Sequence, residues 1–88
     1  MAWKIEYSDR AGRQVSKLGR REAKQILDYM DHRIAPSEDP RQFGKGLVGD
    51  LSGYWRYRVG DYRIVCQLID ERLVVLVVEV GHRREVYR

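Results

Sequence analysis

The chain is poor in the residues that staple, puncture or metallate a fold: 88 residues hold one cysteine, two prolines, two histidines and one phenylalanine. Cys66 alone cannot close an internal disulfide, and no Cys/His cluster exists from which a structural zinc site could be built. A reducing cytosol is therefore the expected compartment, and no cofactor or metal is expected. No apolar stretch approaches the ~18 residues of a membrane span, and residues 1–7 alternate polar and apolar instead of running as a signal-peptide core. Repeats, low-complexity tracts and linkers are lacking as well.

What is present suits a folded globular domain: 43% hydrophobic and 34% charged residues. At this length the expectation is one domain over 1–88. Such a domain buries only about 60–65% of what its unfolded chain exposes, so chemistry is expected on an open surface and not in a large enclosed cavity. Lys and Arg number 17 against 13 Asp and Glu, a formal charge of +4. That excess fits an anionic partner such as nucleic acid, and equally a charge that serves solubility.

Residues 3 to 7 set Trp3, Ile5 and Tyr7 on one side of an extended segment and Lys4 and Glu6 on the other, which predicts a strand. Ser8 and Asp9 are good N-caps, and Ala11, Val15 and Leu18 then recur at helical spacing up to Gly19. A second helix follows from the stripe Ala23, Ile26, Leu27, Met30 and Ile34, so the two form a hairpin about Gly19. Pro36 and Pro40 close that region, and Gly44, Gly46, Gly49 and Gly53 punctuate the connection after it.

Tyr54–Val59, Tyr62–Ile69 and Arg72–Val80 are rich in aromatic and β-branched residues and are separated by Gly60-Asp61 and Asp70-Glu71. They predict an antiparallel meander. The fold class is α+β, a small antiparallel sheet with an N-terminal helical hairpin on one face in the order β-α-α-β-β-β. With Gly60 and Asp61 as the turn, residues whose numbers sum to 121 face one another. One face then receives Trp55, Tyr57, Val59, Tyr62, Ile64, Cys66 and Leu68, and the other Arg56, Arg58, Arg63 and Gln67.

Arg58 directly opposite Arg63 is destabilising by up to about 1 kcal/mol. A fork of guanidinium donors suits phosphate oxygens, so an anion-binding role is one account of the cluster, and three solvated side chains that lean apart is the other. The last strand is apolar on both sides, Leu73, Val75 and Val77 on one and Val74, Leu76, Val78 and Val80 on the other, which predicts an interior strand. Its second apolar face needs a cover, either a partner segment or the chain's own tail or connection. The end of the chain, Gly81-His82-Arg83-Arg84-Glu85-Val86-Tyr87-Arg88, carries basic and aromatic residues that can hold a phosphate and stack a base, or can be a frayed basic tail.

The segments Tyr54-Trp55-Arg56-Tyr57-Arg58-Val59-Gly60-Asp61-Tyr62-Arg63-Ile64-Val65 and Val80-Gly81-His82-Arg83-Arg84-Glu85-Val86-Tyr87, together with the element order, resemble the RelE/ParE superfamily of toxins, and within it the RelE-like mRNA interferases. The resemblance covers essentially the whole chain. It implies a bacterial or archaeal cytoplasmic toxin of a type II toxin–antitoxin system, acting as an endoribonuclease on mRNA in the A site of the 70S ribosome and inhibiting translation and growth. It also implies a cognate RelB-like antitoxin that wraps the toxin and links it indirectly to operator DNA. Matched to the family's functional positions, the catalytic and RNA-binding residues fall on Arg56, Arg58, Arg63, Arg83 and Tyr87, with Arg84 beside them for RNA.

Two departures stand out. Some members carry lysines where this chain has Arg56 and Arg58, and a lysine can lose its proton whereas arginine, with a pKa above about 12, does not. One residue, Arg88, follows the tyrosine in this sequence, so no C-terminal helix is expected there. Cleavage by the 2′-hydroxyl needs a proton acceptor, stabilisation of the phosphorane and a donor for the departing 5′-oxygen. The arginines supply the second, and His82 is the candidate acid or base, being the group near the site whose ordinary pKa of about 6.5 suits neutral pH. His32, on the polar flank of the second helix, is assigned no role. The rival functions are a ParE-type inhibitor of DNA gyrase on the same fold and a non-catalytic RNA- or ribosome-binding module.

Overall fold

In a computed structural model that describes residues 2–82, the chain runs β1 (Lys4–Tyr7), α1 (Asp9–Ser16), α2 (Arg20–Tyr29), β2 (Lys45–Gly46), β3 (Trp55–Val59), β4 (Tyr62–Ile69) and β5 (Val74–His82). The strands form a five-stranded sheet in the order β1-β5-β4-β3-β2, and both helices lie on one face of it. The α+β expectation holds. The sheet is mixed and not wholly antiparallel, because β1 runs parallel to β5 with Lys4 beside Val74 and Tyr7 beside Val77. No helix among the described residues is long and apolar enough to cross a membrane.

Ser8 starts α1 as expected: its hydroxyl oxygen accepts from the Ala11 N–H at 3.1 Å. The same hydroxyl donates to the Val78 carbonyl at 3.3 Å, and the Ser8 N–H donates to the Val77 carbonyl at 2.9 Å. β1 ends level with Val77, so the outer edge of β5 beyond that point would present bare backbone groups. Helix α1 covers it, and the Val80 N–H donates to Oε1 of Gln14 at 2.6 Å.

α2 ends earlier than its stripe predicts. It gives way to a π-helical turn at Met30–Ile34, in which the Ala35 N–H donates to the Met30 carbonyl. That turn keeps Met30 and Ile34 both fully buried and brings the Ala35 carbonyl to the Trp3 N–H at 2.7 Å, tying the helix end to the start of β1. Leu27 falls off the buried face and is 37% exposed.

The core combines Trp3, Ala11, Val15, Ile26, Met30 and Ile34 with the sheet residues Tyr57, Ile64, Cys66, Val75, Val77 and Val80. The β3–β4 register is the one expected, Trp55 opposite Cys66, Tyr57 opposite Ile64 and Arg58 opposite Arg63. Gly60 takes φ +58° in the connecting turn, as the first central position of a II′ turn requires. The second connection differs: Asp70–Arg72 forms a 3-10 turn, and Leu73 closes it in the left-handed region at φ 53°. Arg41 clasps Asp70 through both Nη atoms at 2.9 and 2.8 Å. This hydrogen-bonded pairing holds the Asp70 carboxyl below the ordinary carboxylate range, so the clasp is intact at neutral pH and loosens only in acid.

β5 also departs from the predicted alternation. Cys66 pairs with Val77 and Val65 pairs with Glu79, so Val78 is an extra residue, a β-bulge. The bulge reverses the parity of everything after it. Val80, expected on the second face, is opposite Ile64 and buried in the core.

Gly44 (φ +72°) sits where a Cβ would strike the Arg56 carbonyl oxygen and would come within 3.0 Å of Trp55 Nε1. Two measurements follow. Gln14→Ala strands the part-buried Val80 N–H and is expected to lower unfolding stability by about 1–3 kcal/mol, read as a shift in urea midpoint at constant m-value. Gly44→Ala is expected to lose more than about 1 kcal/mol by the same assay, and an unchanged midpoint would show that the connection moves freely.

Candidate functional site: the cationic face of the sheet

The face turned away from the helices is set by the strand register alone. Residues that pair across neighbouring strands share a face, and neighbouring strands lie about 4.8 Å apart. One row across the sheet reads Arg58, Arg63, Gly81, and the next reads Lys45, Arg56, Val65, Glu79. Four cationic residues from three strands therefore stand in two adjacent rows.

Their environments differ. Arg58 is exposed, Arg56 is half-buried, and Arg63 is 6% exposed, the buried charged residue of the described structure. A charge that deep is retained only with polar or charged partners around it, which makes Arg63 part of the fold as well as of the face. Gly81, its partner on β5, contributes no side chain to this row.

Lys45 was not singled out from sequence. It reaches this face because β2 pairs with β3, Lys45 beside Arg56 and Gly46 beside Trp55. Two side chains on the core face of β3 fix the connection that carries it: the Trp55 indole N–H donates to the Phe43 carbonyl at 2.6 Å, and the Tyr57 hydroxyl donates to the Pro40 carbonyl at 2.8 Å. Burial pushes the Tyr57 phenol well above its ordinary pKa, so it stays a donor at any working pH.

Glu79 was missed as well. Read by simple alternation it falls with Val75 and Val77 in the core, and the bulge at Val78 turns it out beside Val65. Its side chain is 31% exposed and meets Arg10 Nη2 at 3.5 Å.

The remaining sequence candidates divide in two. His82 pairs with Tyr62, one strand position past Gly81, and its ring meets the Tyr62 ring edge-on with centroids 5.8 Å apart. By the ladder it shares the face of Tyr62 and Ile64, opposite to the face of Arg63. Arg83, Arg84 and Tyr87 lie outside the described residues. Among the described residues no group of three or more His, Cys, Asp and Glu side chains is arranged to hold a metal ion.

A concavity of about 540 Å³ lies on the helix side between α2 and the β3–β4 turn. Tyr29, Arg33 and Val59 line it together with Asp28, His32 and Gly60. Asp28 is engaged there by Lys24 at 2.8 Å, with His32 at 4.0 Å. It offers less cationic charge than the arginine face and is separated from it by the thickness of the sheet.

Known proteins share this architecture. The chain is 28% identical over 88 residues to Toxin RelG of Mycobacterium tuberculosis, covering 100% of this chain and 99% of that one. It is 34% identical over 90 residues to the mRNA interferase toxin RelE of Escherichia coli K12, covering 99% and 92%. In the crystal structure of the toxin–antitoxin complex RelBE2 from Mycobacterium tuberculosis, one chain superposes with a TM-score of 0.86 at 25% identity, covering 94% of this chain and 93% of that one. Residues 5–87 match the family described as the ParE toxin of type II toxin–antitoxin systems. With that match and these relatives, the chain belongs to the RelE/ParE superfamily and is a toxin of a type II toxin–antitoxin system.

Proposed function

We propose that this toxin is an endoribonuclease that cleaves mRNA in the A site of the ribosome, with no metal ion in the reaction. The observation that carries the proposal is the shared face of Arg56, Arg58 and Arg63 in two adjacent rows, with Lys45 beside them. Placing Arg58 against Arg63 costs stability, and the arrangement is useful when an anion lies between or above them. An RNA backbone supplies such an anion, and a relative with 34% identity is named an mRNA interferase.

In the proposed reaction the ribose 2′-hydroxyl attacks the adjacent phosphorus. The guanidinium groups of Arg56, Arg58 and Arg63, joined by Arg83, neutralise the phosphorane as its charge grows, and Tyr87 stacks on or orients a base. Donors fixed in advance in this way contribute about 10²–10³ in rate each. Guanidinium groups do not give or take protons near neutral pH, so the enzyme depends on the ribosome to align the mRNA, a contribution of about 7–11 kcal/mol. Its regulator is a RelB-like antitoxin, in keeping with the RelB–RelE assemblies among structures of similar fold, and through it the toxin reaches operator DNA.

Mapping transcript 5′ ends after induction tests this reading. Cuts within A-site codons support it. Because the family description also names ParE, the contrary result is specific: DNA breaks with intact mRNA indicate a gyrase poison, and neither lesion indicates a module that grips without cutting. Arg58→Ala and Arg56→Ala are expected to lower single-turnover cleavage on programmed ribosomes by about 10²–10³ each. Arg58, exposed, should do so with no change in circular dichroism or urea midpoint. Arg83→Ala and Tyr87→Ala are expected to relieve growth arrest, and toxicity at the wild-type level would remove them from the site.

A further inference from the structure

We propose that Glu79 is the general base of this site, the group that takes the proton from the attacking 2′-hydroxyl. The assignment rests on the RNA-cleaving reading above. Arg56, Arg58 and Arg63 offer no proton acceptor, since guanidinium holds its proton at any physiological pH; Lys45 is exposed on β2, two strands from Glu79's neighbour β4, and the register sets the His82 ring against Tyr62 on the other face.

Glu79 is placed where the reaction needs an acceptor. It stands opposite Val65, in the row of Arg56 and Lys45 and diagonal to Arg63, whose own partner Gly81 has no side chain to intervene. Diagonal neighbours on one sheet face lie about 7–8 Å apart at their backbones, a separation that long side chains bridge. A phosphodiester gripped by Arg56 thus has a carboxylate in the same row, on the far side of Val65.

The fold spends a distortion to put it there. Without the extra residue at Val78, Glu79 would follow Val75 and Val77 into the core and Val80 would face outward. The bulge exchanges the two, burying Val80 opposite Ile64 and giving Glu79 a register position on the arginine face, with its carboxylate 3.5 Å from Arg10 of α1. Gln14 and Ser8 then hold the backbone on either side, at the Val80 N–H and the Val78 carbonyl. Glu79 itself meets one cation among the described residues, Arg10, at 3.5 Å on an exposed flank. Contacts of that kind are worth little, so the carboxylate is held near the face without being locked into an ion pair.

A carboxylate on an anion-binding surface repels the phosphate it borders, and a proton-transfer role accounts for its position. In the step proposed, a Glu79 oxygen takes the 2′-hydroxyl proton as the O2′–P bond forms. The P–O5′ bond breaks, leaving a 2′,3′-cyclic phosphate, and the departing 5′-oxygen takes a proton from water. The carboxylic acid then returns its proton to solvent.

The test uses the full-length toxin, ribosomes programmed with mRNA, and three variants. With Glu79→Gln, mRNA binding should be unchanged or tighter while single-turnover cleavage falls about 10²–10⁴-fold and the acid limb of the pH profile disappears. Glu79→Asp should cleave at an intermediate rate and keep that limb. Arg10→Ala should cleave within threefold of wild type, separating a base from a mere partner of Arg10. Glu79→Gln cleaving within threefold of wild type on an unchanged pH profile overturns the assignment. So does a loss of binding equal to the loss of cleavage, which marks a counter-ion that orders the arginines. Should Glu79→Gln not fold, Glu79→Asp decides, since a wild-type rate there contradicts the role. Wild-type protein that cuts no mRNA removes the endoribonuclease reading and Glu79 with it, whereas cutting by wild type and Glu79→Gln alike removes Glu79 alone.

Discussion

Everything on the cationic face depends on the pairing of β3 with β4 about Gly60 and Asp61. Side chains alternate strictly along a strand, so a slip of one residue would send Arg56, Arg58 and Arg63 into the core and expose Tyr57, Ile64 and Cys66. Hydrophobic burial fixes the register. Tyr57, Ile64 and Cys66 are fully buried against Ile26, Met30 and Ile34, and their combined burial far outweighs the ~1 kcal/mol cost of opposing Arg58 to Arg63. The core thus carries an arrangement of charge that the sheet would not adopt for its own stability.

The helices contribute in a second way, at the sheet's edge. β1 pairs with only the first half of β5, and the second half leads toward Glu79, His82 and the basic C-terminal residues. Ser8 and Gln14 replace a missing strand there, meeting the backbone at Val77, Val78 and Val80. On the opposite side the glycine-bearing connection is held by Trp55 and Tyr57, which brings Lys45 level with Arg56. Side chains that belong to the core or its margin therefore position the two ends of the cationic face.

Much of this is legible in the sequence because local chemistry and burial agree. Ser8 caps a helix, Gly60 supplies a primed turn, and alternation through 55–68 separates the arginines from the apolar set. The parts that are not legible have physical causes. Period-two patterning in residues 3–7 marks a strand without naming its neighbour, so the parallel pairing of β1 with β5 is invisible. Val78, Glu79 and Val80 are all compatible with a regular strand, and nothing in them announces the bulge that exchanges Glu79 and Val80. Lys45 sits in a stretch without periodicity, placed by backbone pairing and by the Trp55 and Tyr57 donors, which lie twelve and seventeen residues from the Phe43 and Pro40 carbonyls they meet. Leu27 fits a helical stripe by number, yet it lies at its margin and is left exposed beside the fully buried Ile26.

In the proposed mechanism RNA lies on the sheet face defined by Arg56, Arg58 and Arg63. A structure of the toxin on a ribosome programmed with mRNA, its A-site codon blocked by 2′-O-methyl groups, tests this most directly. A phosphate is expected within hydrogen-bond distance of Arg56 or Arg58, on the face they share with Arg63. An mRNA backbone seated instead in the groove between α2 and the β3–β4 turn, beside Tyr29 and Arg33, would contradict it.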